Sequence, residues 1–431
     1  MKQFVGILFS VLLAFLAQAQ ISFSSLDEIL QFADKNSIVA QESKIQQNVS
    51  RKEEVINKSG LLPRVGLFGT ADYYPLIPSL VVPQAVTGGS PSKFQKVQFG
   101  LPWSFSGGIE LTIPVINFEK WEQLKRYKLQ SIQTDLNTQV NLESLHIQLT
   151  QWYYQALLTH ELVRLNKSNQ EISGELVRIL EARKQNGLLN PADYNRSRNL
   201  HLDIECASIE YEKNYNQSLI ALHQLLNLPD TSTLQLQDSI GTKNWLSISK
   251  ETAITSRPSW KEAELKIAVA QQRLKESQKA ALPSISLNSK YTYQWQLQPS
   301  SGQQINYDFS NIGLRIDFPL FQGNYQRASQ QKTEQQLELA KLSEEQTAKD
   351  LSRQQSEWWN SYHAAVKKQA FLQEKLGLAS TNLEIARLNM KEGVMEFDEF
   401  NNIFREYNKA KMDYLQNMND GIVYQLLLTQ K

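Results

Sequence analysis

The chain has 431 residues, of which 41% are hydrophobic and 21% charged, and its 45 Lys and Arg against 44 Asp and Glu leave a formal net charge of +1. Because basic residues are scattered along a nearly neutral chain, it lacks the field that holds a polyanion, which excludes nucleic acid as a partner. The single cysteine, Cys206, excludes both a disulfide framework and a zinc cage. With 8 Trp, 16 Tyr and 17 Phe, the composition is that of a folded protein.

The first nineteen residues have the pattern of a cleaved secretory signal. Lys2 precedes an apolar run from Phe4 to Leu16, and Ala17-Gln18-Ala19 provides the small residues that signal peptidase requires. The run is shorter than the roughly 20 apolar residues that a membrane-spanning helix needs. We therefore expect residues 1–19 to be a signal peptide. The mature chain would begin at Gln20, with no cysteine there to accept a lipid.

The remaining sequence repeats one plan of elements twice. Each half has a helix, a Leu-Pro step, two strand-like segments, a long segment free of proline, a glycine turn and a returning helix. Duplication at this scale indicates a repeated structural unit. The first predicted repeat covers 20–229, with strands at about 64–75 and 105–116 and a long helix at 118–186. A linker or equatorial segment follows over 230–255. The second repeat covers 256–431, with strands at about 284–297 and 307–321 and a long helix at 324–392.

The long helical segments have the apolar spacing of a coiled coil. In the first, Leu142, Leu145, Leu149, Trp152 and Ala156 follow one another in steps of three and four residues. This spacing predicts a seam that repeats every 3.5 residues, with polar side chains on most other sides. Taken alone, these segments fit a soluble coiled coil equally well.

The strand-like segments favour a membrane protein. From Ile285 to Leu297 the odd positions are mainly apolar and aromatic, while the even positions are all polar. Strands of about ten residues with one apolar face and aromatic residues near one end are typical of outer-membrane barrels. A half-buried soluble sandwich is the alternative, but helices this long leave no second layer to cover the aromatic face. The residues expected at the membrane interface are Tyr73, Tyr291, Tyr293, Trp295 and Phe318.

Four strands from one chain are too few to close a sheet. Lipid-exposed sheet edges leave backbone groups unpaired, and known barrels start at about eight strands, so several chains must contribute. Three chains would supply twelve strands. The fold class is therefore predicted as α+β and mainly α, with long coiled-coil helices and four transmembrane strands per chain, in a trimeric twelve-stranded barrel continued by a helical tunnel.

The duplicated plan, including the segment Phe-Pro-Leu-Phe-Gln-Gly from Phe318 to Gly323, resembles the TolC-type outer-membrane efflux proteins of Gram-negative bacteria. The resemblance extends over nearly all of the mature chain. It implies a homotrimer in the outer membrane with a long periplasmic portion, docked to a periplasmic adaptor and an inner-membrane pump. It also implies passive export of drugs, metal ions or proteins, without a cofactor and without enzyme activity.

The resemblance assigns roles to two helix turns and to the residues after them. Adaptor docking maps to Gly187, Leu188 and Leu189 in the first repeat and to Gly393 and Val394 in the second. Glu399 occupies the place of an inward carboxylate that narrows the periplasmic mouth, and Asp193 lies at the same distance after the first turn. Three such carboxylates around an axis would attract cations.

This sequence departs from the family at three positions of the aperture. Asn402 replaces a second ring carboxylate, and Met390 and Met395 replace the residues that latch the closed mouth of the best-known member. The closed state must therefore be held differently here. A periplasmic adaptor or a structural coiled-coil protein remains the alternative function. The loop at 76–99 is expected outside the cell, where it is a candidate plug of the exit.

Overall fold

The computed structural model describes residues 20–88, 93–230, 232–240, 245, 248 and 254–429. The predicted signal peptide and residues 89–92 of the predicted external loop lie outside the described residues. The fold is mainly helical, as predicted. Within the described residues, no helix combines the length and the apolar composition needed to cross a membrane.

The described residues form seven α-helices and eight strands. The helices are Leu26–Asn36 (α1), Ile38–Ser59 (α2), Phe118–Gln185 (α3), Pro191–Leu225 (α4), Pro258–Lys279 (α5), Tyr325–Glu392 (α6) and Phe397–Thr429 (α7). The strands are Gln20–Phe23 (β1), Arg64–Tyr73 (β2), Ser79–Pro83 (β3), Phe94–Gln98 (β4), Trp103–Ile116 (β5), Thr233–Leu236 (β6), Ser284–Gln298 (β7) and Gln303–Asp317 (β8).

The chain divides into two compact units, and each sequence repeat supplies residues to both. The strand unit comprises residues 48–133 and 264–343. Among the described residues, the helical unit comprises residues 20–47, those described between 134 and 263, and residues 344–429.

The strand unit contains a four-stranded antiparallel sheet in the order β2-β5-β7-β8. The middle pair aligns Ile109 with Tyr291 and Glu110 with Lys290, so the residues of one row across the sheet share a face. On β5 and β7 this register collects the apolar residues on one face and the polar residues on the other. The apolar face will be called face A and the polar face, which includes Lys290, face B.

Two strand pairs arise where the sequence indicated none. β6 lies inside the predicted linker at 230–255 and pairs in parallel with β1, and β3 pairs with β4 inside the predicted loop at 76–99. β8 begins at Gln303, four residues before the predicted start, and ends at Asp317, so Phe318 lies beyond it. Pro319 explains the early end, because proline has no N–H for strand pairing.

The helical unit has a hydrophobic core in which α3 is central. Leu145, Leu149 and Ala156 are buried there, as their seam spacing predicts. Trp152 was wrongly placed in the seam, since its side chain is 40% exposed and Tyr153 is fully buried instead. The adjacent Tyr154 is buried as well, because this part of α3 packs on several neighbours and its apolar stripe is wider than a two-helix seam.

Tyr153 places a hydroxyl group in this core, and a hydrogen bond satisfies that group. Its hydroxyl donates to Asp238 Oδ2 at 2.8 Å. Burial and this hydrogen bond raise the pKa of Tyr153 far above its ordinary value, so the hydroxyl keeps its proton.

The sheet tolerates no side chain at one glycine of β5. A Cβ on Gly108 would lie 1.9 Å from the carbonyl oxygen of Tyr291 on the neighbouring strand. At Gly313 on β8, an added Cβ would meet nothing within 4 Å. The two glycines therefore form a matched pair for testing how closely β5 and β7 pack.

We expect Gly108→Ala to destabilise the protein by about 3 kcal/mol, because the backbone of β5 or β7 must shift to admit the methyl group. Gly313→Ala should change the stability by less than about 0.5 kcal/mol. Denaturant unfolding followed by circular dichroism measures both. Equal stabilities of the two variants would contradict the observed register of β5 on β7.

Candidate functional site

The candidate site is the pair of helix turns in the helical unit, one per repeat. Gly187 follows α3 and Gly393 follows α6, with φ angles of 70° and 84°. Glycine adopts these left-handed angles without strain, which is why both helices end there. The following N–H groups of Leu188 and Val394 donate back to Arg183 and Asn389, closing each helix end.

Each turn has one exposed apolar side chain, and the apolar side chain of the following residue packs toward the protein interior. Leu188 is 76% exposed and Val394 is 73% exposed. Leu189 and Met395 instead pack on a buried cluster beside the turns. The two repeats thus present the same surface, an isolated apolar side chain at the tip of a helix pair.

The buried cluster, here called the tip cluster, joins four helices. Its buried members are Ile172, Leu176, Leu180, Ile204, Leu383, Ala386, Met390, Phe397, Phe400 and Phe404, which come from α3, α4, α6 and α7. The rings of Phe400 and Phe404 are stacked with centroids 6.1 Å apart. Both repeats therefore share one hydrophobic core next to their turns.

The structure separates the five predicted aperture residues into two groups. Met390 is 2% exposed inside the tip cluster, and Met395 packs against that cluster. Glu399 and Asn402 are exposed on α7, and Asp193 is partly exposed on α4. Glu399 and Asn402 present their side chains to solvent, Asp193 and Met395 are partly exposed, and Met390 is buried.

Arg183 connects the end of α3 to the end of α6. Its Nη2 donates to the backbone oxygen of Met390 at 2.6 Å. A Cβ on Gly393 would lie 2.9 Å from the same guanidinium nitrogen, so the second turn glycine also makes room for this arginine. A cation at the carboxyl end of a helix bonds a carbonyl left without an intrahelical partner.

Ion pairs join the two repeats on the surface of the tip cluster. Arg196 on α4 donates to Asp398 Oδ2 on α7 at 2.7 Å and lies 3.5 Å from Asp193. Glu175 on α3 contacts Lys391 at 2.7 Å and Arg387 at 2.9 Å on α6. Apart from Asp193, these groups could not be predicted from the sequence, because partners about 200 residues apart leave no local pattern.

The aromatic residues predicted at the membrane interface belong to the strand unit, and the strand register places most of them on face A. Tyr73 lies against Trp103 with ring centroids 4.8 Å apart, and Phe105 lies 5.3 Å from Trp295. Tyr291 and Tyr293 are about half exposed on the same face. Phe318 is exposed just after β8.

Comparison with known proteins finds one family model and several solved structures of similar fold. Residues 251–420 match the family model "Outer membrane efflux protein". A membrane protein from Pseudomonas aeruginosa shares 14% identity, with a TM-score of 0.76 over 94% of this chain and 92% of that chain. Comparison with curated proteins gives no match.

Two further solved structures are outer-membrane channels. The open state of MtrE from Neisseria gonorrhoeae is 14% identical, with a TM-score of 0.75 over 94% of this chain and 87% of that one. CmeC from Campylobacter jejuni is 16% identical, with a TM-score of 0.71 and the same two coverages.

The chain thus has the fold of the solved outer-membrane channels over nearly its full length. This shared fold and the matched domain at residues 251–420 agree with the resemblance to TolC-type outer-membrane efflux proteins that the sequence predicts.

The Glu175 ion pairs predict a pH-dependent stability. The hydrogen bonds from Lys391 and Arg387 hold the pKa of Glu175 below its ordinary value of 4.5. A carboxylate whose pKa falls on folding stabilises the fold above its ordinary pKa and loses that effect as the pH drops through the lowered value.

We therefore expect Glu175→Gln to lower stability at pH 7 by up to about 1 kcal/mol, a value limited by solvent screening. The difference from the unmodified protein should vanish in strongly acidic solution, below the lowered pKa. Thermal unfolding across a pH series measures it. Glu171→Gln, an exposed change on the same helix, is the control, and an equal effect there would refute the role of Glu175.

Proposed function

We propose that the protein is an outer-membrane efflux channel that works as a passive exit duct. Substrates would reach it from an inner-membrane pump through a periplasmic adaptor, in a tripartite efflux or type I secretion system. The observation that carries this proposal is the matched efflux domain combined with a channel fold over 94% of the chain.

The sheet supports an assembly of three copies. β2 and β8 form the two edges of the sheet within one chain. An edge in lipid would leave N–H and C=O groups unpaired at several kcal/mol each, so β8 of one copy must pair with β2 of the next. Three copies give a twelve-stranded barrel with face A toward lipid and face B toward the duct.

The exposed turn residues support adaptor docking at the periplasmic end. Leu188 and Val394 stand out from the two turns, and the glycines beside them fix the turn conformations. A partner with apolar pockets spaced to receive both tips fits this surface. The proposed docking residues are Gly187, Leu188, Leu189, Gly393 and Val394.

The proposed periplasmic aperture is formed by side chains that one chain leaves exposed. Glu399 and Asn402 would face the axis, and three copies of Glu399 would create a negative ring that favours cations. Met390 and Met395 would act from within the tip cluster. Asp193, through Arg196 and Asp398, would help to hold the closed arrangement.

The alternatives from the sequence are less well supported. A periplasmic adaptor or a structural coiled-coil protein gives no reason for a channel fold over 94% of the chain. The proposed location is the outer membrane with a long periplasmic portion, reached by a cleaved signal peptide.

The first test is the native mass of the mature protein in mild detergent, with bound detergent subtracted. We expect about three times the mass of the mature chain, which is somewhat below the 49.4 kDa of the full sequence. The same preparation should form ion-conducting pores in planar bilayers. A folded monomer without conductance would overturn the proposal.

A second test concerns Glu399. In the reconstituted pore, Glu399→Gln should reduce the preference for cations over anions several-fold, because the proposed ring loses its negative charge. Reversal potentials in a salt gradient measure this preference. The control is Glu396→Gln, an exposed carboxylate at the turn. Equal losses in both variants would show that Glu399 has no special position.

A further inference from the structure

The apolar side chains of strand β8 lie on one face of the sheet in its first part and on the other face in its last part. In its carboxyl-terminal part, Ile312, Leu314 and Ile316 lie on face A with the other apolar residues. In its amino-terminal part, Ile305, Tyr307 and Phe309 lie on face B, where their partners are Gln296, Gln294 and Thr292. The apolar positions therefore change from odd to even numbers within one strand.

The change arises from the sequence and not from an irregular backbone. Pairing between β7 and β8 runs from Ser284 with Asp317 to Gln298 with Gln303 without a register shift. Two successive polar residues, Ser310 and Asn311, separate the two apolar runs. A regular strand alternates its faces at every residue, so this pair inverts the pattern.

The inversion brings polar side chains onto face A. The residues concerned are Gln304, Asn306, Asp308 and Ser310. Tyr291 donates its hydroxyl to Asp308 at 3.2 Å, and Asn306 donates to the Tyr293 hydroxyl oxygen at 2.9 Å. The tyrosines that were predicted at the membrane interface thus bond the polar residues of β8.

At the level of these hydrogen bonds, face A is too polar to contact the hydrocarbon core of a membrane. A carboxylate in the hydrocarbon core is unfavourable, whereas tyrosine is enriched where the core meets the headgroups. Asp308 and its tyrosine partner belong at or above this boundary, and Ile312 belongs below it.

The length of the apolar run agrees with this boundary. Exposed apolar residues continue past β8 at Phe318, Leu320 and Phe321. The segment from Ile312 to Phe321 has ten residues, the length that a tilted strand needs to cross a bilayer, and its last four residues follow the end of β8. Because barrel strands are tilted, neighbouring strands cross one membrane plane at different registers.

We propose that the outer boundary of the membrane hydrocarbon crosses β8 at Ser310 and Asn311. Lipid acyl chains contact face A of β8 from Ile312 onward, and the hairpin end from Gln303 to Ser310 stands among headgroups and external water. This inference rests on the proposed function, because it takes face A as the lipid side of the sheet.

The same boundary gives the exit of the duct an aromatic lining. Tyr307 and Phe309 have ring centroids 6.3 Å apart on face B, and the Tyr307 hydroxyl donates to Gln294 Oε1 at 2.8 Å. Phe68 lies on this face too, with Lys290 Nζ 3.9 Å from its ring centroid. A solute leaving the duct meets aromatic side chains where the hairpin rises above the membrane.

Single cysteines on one face of one strand test the boundary. In a Cys206→Ser background, intact cells carrying Asp308→Cys or Ile312→Cys are treated with a membrane-impermeant maleimide. The two positions are about 13 Å apart along the strand. We expect Asp308→Cys to react within a few-fold of Ser301→Cys at the hairpin turn, and Ile312→Cys at least tenfold more slowly. All should react alike after denaturation in SDS.

A second pair, Gln304→Cys and Leu314→Cys, repeats the comparison in case one variant fails to assemble. If Ser301→Cys reacts while Asp308→Cys and Ile312→Cys react at equal rates, the boundary is wrong but the channel proposal stands. If Ser301→Cys reacts only in opened cells, the proposed orientation in the outer membrane is wrong, and the boundary with it.

Discussion

Unpaired backbone groups at the edges of one small sheet are the constraint on which the proposed assembly depends. β2 and β8 end the sheet within a single chain, and face A is covered with exposed apolar and aromatic side chains. Water could satisfy the edges, but it would leave face A uncovered; lipid could cover face A, but it cannot pair the edges. Pairing with further copies in a membrane satisfies both, and it fixes which face the proposed duct presents to its contents.

The sequence was most informative where one residue determines the local backbone. Gly187 and Gly393 correctly marked the ends of the long helices, because a left-handed residue ends a helix wherever it occurs. It was less informative where two patterns meet in one element. β8 was predicted to start at about 307 but begins at Gln303, and its apolar residues are odd-numbered in its first part and even-numbered in its last part.

The sequence predicted where the candidate site lies in the chain, but it did not predict the contacts between its side chains. The turns and the exposed Glu399 follow from local sequence and family resemblance, whereas the Arg196–Asp398 pair joins residues 202 positions apart. Met390 shows the same limit, since the local sequence could not reveal that its backbone oxygen accepts a hydrogen bond from Arg183. Tertiary packing determines such partners, and a single sequence does not show which distant residues come into contact.

The two kinds of contact at the tips differ in how easily they can be exchanged. Ion pairs such as Glu175 with Arg387 are partly solvated, so each contributes about 0–1 kcal/mol, and water or a docking partner can replace it. The tip cluster buries side chains worth about 1.5–3 kcal/mol each, and separating its helices would expose them all together. A proposed opening of the aperture is therefore easiest if the ion pairs rearrange while the tip cluster stays intact. Met390 and Met395 support the tip cluster and not the ion pairs. Apolar substitutions of similar volume at these two positions are therefore compatible with such a mechanism.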